Sequence, residues 1–220
     1  MAKKLSLVLA ATVCLISTST LWAEELSDMA AEKVVIPELD EKQWREDYSI
    51  DLPPKKLQEL RESGQIDQES MLANESIKGY TLAEWVTGEE TAQNWTKLLS
   101  AQFFEGVHDP VESFAISFAE QLKASCSDIS LEMLERTSNS VLIEWDTRQC
   151  EYLGIQHELT RFIASDRGWH RIAYTEMKPQ MDKEVRDHWL ELLKAATIET
   201  VASESAEKAE TATNASDKSE

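Results

Sequence analysis

The chain has 220 residues, 41 acids against 22 bases, and a formal net charge of −19. Removing its first 23 residues takes away Lys3 and Lys4 and makes it two charges more negative. Such a surface repels phosphate backbones and anionic headgroups, which argues against a nucleic-acid or anionic-membrane partner.

Lys3 and Lys4 precede an uncharged apolar run from Leu5 to Ile16, then Ser17-Thr18-Ser19-Thr20 and Leu21-Trp22-Ala23, with acid beginning at Glu24. This is the layout of a secretory signal peptide over 1–23, too short for a membrane span. Cys14 does not make it a lipoprotein leader, because Val13 stands where a small residue is needed. The expectation is an exported bacterial protein, periplasmic or secreted, with no span after cleavage. Two cysteines then remain, Cys126 and Cys150, and in an oxidising compartment an even pair reads as a disulfide.

Residues 24–77 are acidic and without sustained period, and Pro53-Pro54 interrupts them. They read as an extended or loosely packed arm with a short helix near Lys55–Glu62, although Trp44 and Val34-Val35-Ile36 are able to dock as an added strand. Residues 78–198 form the core domain. Tyr80–Val86 is a strand, and Thr87-Gly88-Glu89-Glu90 has the spacing of a capping box, predicting a short helix through Trp95. Leu98–Phe104 is a buried strand. Asp109-Pro110-Val111-Glu112 then opens a helix whose apolar residues Val111, Phe114, Ala115, Phe118 and Leu122 share one face.

Two hairpins follow. Ile129–Met133 and Val141–Trp145 alternate around a polar turn; Ile155–Ile163 and Trp169–Met177 turn at Ser165-Asp166-Arg167-Gly168. A last amphipathic helix starts at Pro179 and carries Met181, Val185, Trp189, Leu192 and Leu193. Residues 199–220 hold almost no large apolar side chain and are expected to be disordered. The predicted class is α+β: a mostly antiparallel sheet of about six strands, two long helices and one short one, in the order β-α-β-α-β-β-β-β-α.

The succession of a Tyr-initiated strand, Glu89…Asn94-Trp95-Thr96, a buried strand, a long helix, hairpins, Arg171-Ile172-Ala173-Tyr174 and a helix bearing Trp189 resembles the PsbP-type α-β-α sandwich. That architecture is known from photosystem II extrinsic proteins and small exported bacterial domains. The resemblance covers about 80–198 and implies an accessory or binding module; it transfers no functional residue. A nuclear-transport-factor-like cone is the competing α+β reading.

Catalytic and metal signatures fail on spacing. His157-Glu158 begins like a zinc-protease motif, but Arg161 stands where the second histidine belongs. His157 and His170 lie on paired strands, which leaves a shared metal site open, whereas His108 and His188 share no spacing. There is no Gly-x-Ser-x-Gly elbow, phosphate loop or dinucleotide fingerprint. We therefore expect no catalytic residues, metal or cofactor. Of the tryptophans, Trp95, Trp145 and Trp189 fall on apolar faces and suit a core. Trp169, after a turn and beside His170 and Arg171, is the expected exposed one, which makes Trp169 and Arg171 the candidate interaction residues. The functional expectation is an exported non-catalytic accessory protein that binds a protein or envelope component. The alternative is a secreted or periplasmic hydrolase without a recognisable motif.

Overall fold

Period-two alternation dominates residues 79–176, and the chain answers it with strands. The structure, a computed structural model, describes residues 31–66, 70–150 and 153–201. Among them the elements run β1 (Ala31–Val35), β2 (Trp44–Leu52), α1 (Pro54–Glu62), β3 (Gly79–Thr87), β4 (Lys97–Glu105), α2 (Val111–Ser125), β5 (Asp128–Arg136), β6 (Ser140–Gln149), β7 (Gln156–Ala164), β8 (Gly168–Glu176), α3 (Lys183–Ala195) and β9 (Thr197–Val201). Residues 36–196 form one compact unit. In a second unit β1 and β9 pair antiparallel, from Ala31 opposite Val201 to Val35 opposite Thr197.

The larger unit is built on a seven-stranded sheet in the order β2-β3-β4-β8-β7-β6-β5, antiparallel throughout. Alternate side chains face opposite layers. One face carries Leu52, Tyr80, Leu82, Phe104 and Trp169 against Leu57 and Leu60 of α1. Further along that face, Val141, Ile143, Trp145 and Phe162 pack against Val111, Ala115 and Leu122 of α2. The opposite face meets α3: Trp189 stacks on Tyr174 with ring centroids 4.0 Å apart, and Trp44 packs edge-on to Trp189. Arg161, on the same face, donates to the Leu193 and Lys194 carbonyls at 2.7 Å each, satisfying backbone acceptors that end α3 unpaired. The helices thus sandwich the sheet.

This corrects the expected order in four places. β2 extends the sheet by pairing with β3, and Leu57 of α1 is fully buried, so residues 44–62, read as part of a loose arm, supply a strand and a helix of the packed unit. The short helix over 87–95 does not form. Gly88 takes φ +58°, a conformation in which helix cannot continue, and Glu90, whose Oε2 accepts from the Thr87 hydroxyl at 3.4 Å, also reaches forward. Its Oε1 accepts from the Thr96 amide at 3.0 Å, while Asp47 of β2 accepts from the Ala92 amide at 2.7 Å. The segment is a hairpin connection pinned from a neighbouring strand. The last helix begins at Lys183, not Pro179, because residues before it are held to the sheet, as described below. Finally, Glu199–Val201 belong to β9. Residues 1–30, including the expected signal peptide, and residues 202–220 lie outside the described residues.

The Cys126–Cys150 disulfide is formed, with Cα atoms 4.8 Å apart. It ties the end of α2 to the end of β6. No helix among the described residues is long and apolar enough to cross a membrane.

Candidate functional site

The face beneath α2 is not uniformly apolar. Two rows of cross-strand neighbours, Trp145–Glu158–Thr175 and Phe162–Arg171–Gln102, flank the row Ile143–Thr160–Ala173–Ser100 and bring polar groups to the centre of this face. Glu158 Oε1 accepts from Arg171 Nη2 at 2.6 Å and from Trp145 Nε1 at 2.9 Å; Oε2 accepts from Thr175 at 3.0 Å. Arg171 also donates to Gln102 at 3.3 Å, and its guanidinium lies 5.1 Å from the ring centre of Phe118 on α2. A buried ion pair survives only when its remaining lone pairs and protons are also satisfied. Glu158 meets that condition, but Arg171 Nε has no hydrogen-bond partner.

Glu84 of β3 shares this face. Burial pushes its carboxyl up to about 7, Arg171 opposing and Asp47 reinforcing the effect. Its Oε1 is likewise without a hydrogen-bond partner. Burial also raises Tyr80 on the same strand.

A cavity of about 70 Å³ opens on this cluster, lined by Gln102, Trp145, Glu158, Arg171 and Thr175 and by Met71, Phe118 and Leu122. Outside it, between α2 and residues 70–77, runs a groove of about 630 Å³. Phe114, Phe118, Ile77 and Trp169 contribute its apolar surface and Ser113, Ser117, Gln121 and Asn74 its polar one.

Behind the sheet, a second polar cluster attaches the segment before α3. Nδ1 of His157 accepts from the Met181 amide at 2.8 Å, so its Nε2 carries the proton and donates to Glu144 at 2.8 Å. Glu144 accepts a two-point contact from Arg186 of α3 at 2.6 and 2.5 Å. Burial alone would raise the Glu144 carboxyl; the Arg186 and His157 hydrogen bonds outweigh it and hold the group below its ordinary range. Lys178 bridges Glu176 and Asp182 at 2.7 and 2.8 Å.

These placements revise the sequence expectations. Trp169 is 4 % exposed, and its indole donates to the Asp109 carbonyl at 3.1 Å. Arg171 is buried in the ion pair. Neither presents the exposed contact surface expected of it, because β8 is an inner strand buried along its whole length. His157 and His170 do not converge either: β7 and β8 pair His157 with Glu176, and His170 with Ile163. His170 instead stacks on Phe103, 4.4 Å away. Among the described residues no group of three or more His, Cys, Asp or Glu side chains is placed to hold a metal ion. No sequence motif marks Glu84 or Gln102, and Glu158 enters only through the failed His157-Glu158 motif. Their signal was parity, since Glu84 shares strand phase with Tyr80, Leu82 and Val86, all buried. No family model and no curated protein matches the chain.

Proposed function

We propose that this chain is an exported accessory protein of the bacterial envelope that works by binding a protein or envelope component rather than by turning over a substrate. The observation that carries the reading is how the reactive side chains are engaged. Both ring nitrogens of His157 are held, one by a backbone amide and one by Glu144. Glu158 accepts from three donors. These groups hold strands and helices together, while the groove beside α2 combines aromatic surface with uncharged hydrogen-bonding side chains, the make-up of a recognition site.

The disulfide supports the exported half of the proposal, since such bonds persist in oxidising compartments. Helices on both faces of one antiparallel sheet support the PsbP-type resemblance and its accessory role. The net charge of −19 favours a neutral or basic partner over nucleic acid.

Recovery of the tagged mature chain from the envelope of its own cell tests this. Ser117→Trp, which fills the groove from an exposed position, is expected to lose a co-purifying component that Glu184→Gln on the exposed side of α3 retains. Equal recovery with both variants, or a chain left unprocessed in the cytoplasm, contradicts the proposal.

A further inference from the structure

Met71 and Phe118 line both the outer groove and the inner cavity, so they stand between the two. The groove, at about 630 Å³, has the size of a small-molecule site. The cavity behind it, at about 70 Å³, has room for a small polar head or a few waters. Thioether chains are flexible, and Met71 is only partly buried, which suits a residue that moves aside for an occupant.

The inner end supplies an independent sign of a ligand. Arg171, 8 % exposed, lines the cavity with its Nε unpartnered, and Glu84, 4 % exposed, leaves Oε1 unpartnered nearby on the same sheet face. Buried polar atoms are nearly always hydrogen-bonded, so a buried donor left over in the lining of a cavity points to an acceptor that completes it.

We infer that groove and cavity together bind a neutral amphipathic small molecule, its apolar or aromatic body on Phe114, Phe118 and Trp169 and a hydroxyl or amide head at Arg171. Charge sets the class. Arg171 is already matched by Glu158 at 2.6 Å, so an anionic head would meet that carboxylate without gaining an unpaired cation. A cationic head would instead face the Arg171 guanidinium. Asp109 is the one charged residue among those lining the groove. This deepens the binding role proposed above and rests on it.

The test uses the oxidised chain from Glu24 onward and N-phenyl-1-naphthylamine, a neutral aromatic fluorophore with a single N–H. Saturable, blue-shifted emission at about one probe per chain is expected. Displacement by 1-naphthol should be at least tenfold more effective than by 1-naphthoate, which has the same body and a charged head. Ser117→Trp should weaken the probe at least tenfold without lowering the unfolding midpoint; Gln121→Trp, on the same rim, serves if the first variant folds poorly. Unsaturable uptake, better competition by naphthoate, or binding indifferent to both rim variants overturns the inference. Probe failure combined with groove-dependent recovery of a protein overturns the ligand class alone and leaves the binding role standing.

Discussion

Glu84→Gln removes one titrating proton from the core while keeping the side chain's shape. In the unfolded chain this carboxyl titrates near 4.5; in the folded protein burial lifts it to about 7. Between those values the folded state holds a proton that the unfolded chain has released. Stability is therefore retained below pH 4.5 and falls as pH rises toward 7. Each pH unit of that interval is worth about 1.4 kcal/mol, so the parent forfeits ~3 kcal/mol across it. The glutamine variant does not titrate there. It should match the parent within about 0.5 kcal/mol near pH 4.5, the usual scale for a substitution without a special mechanism, and exceed it by ~3 kcal/mol at pH 8. Urea unfolding followed by tryptophan fluorescence at half-unit pH steps supplies the measurement, taken as variant minus parent so that the other acids cancel. Asp47, Tyr48, Tyr80 and Arg171 are the titratable groups that interact with it and are common to both proteins. A difference that stays constant with pH, or a variant less stable than the parent at pH 8, would refute the reasoning.

Three further outcomes follow from the packing. Cys126→Ser should cost about 2–4 kcal/mol, and thiol labelling of the native, unreduced chain from Glu24 should count no free groups; two reactive thiols would contradict the bridge. Trp169→Ala should destabilise by roughly 3–5 kcal/mol in chemical denaturation, because it empties a buried aromatic site next to Phe114 instead of trimming a surface contact. Arg171→Met should cost about 3–5 kcal/mol by leaving Glu158 buried without its cation, and adding Glu158→Gln should return most of that loss; equal single and double effects would show that the pair is not coupled.

The hairpins β5–β6 and β7–β8 were legible because short apolar runs such as Ile129-x-Leu131-x-Met133 and Val141-x-Ile143-x-Trp145 flank polar turns. The α2 face was legible for the same reason at helical period. β2 was not: its sequence WREDYSIDL carries three acids, and a bulge between Glu46 and Tyr48 shifts its phase midway. Thr87–Glu90 shows the limit of a local motif. Thr and Glu three apart suit a helix start, but Glu90 is claimed by Thr96 and the loop by Asp47, neither visible in a short window. The misjudged exposure of Trp169 has a similar origin. Polar neighbours suggested a surface, yet Arg171 is buried because Glu158, thirteen residues earlier, pairs with it across the β7–β8 hairpin. Buried polar residues at apolar strand phase were the one available trace of the cavity, and that trace acquires meaning only once the register places them side by side.

In the proposed function, the groove beside α2 is where this protein meets its partner. A photoreactive residue at position 117, on the exposed rim of that groove, tests this most directly when compared with the same residue at position 184, exposed on α3. After irradiation of intact cells, the account predicts a discrete adduct on the disulfide-bonded chain from 117 and none from 184, a small mass increment identifying a small molecule and a large one a protein. Adducts of equal yield from both positions, or adducts from 184 alone, would contradict it.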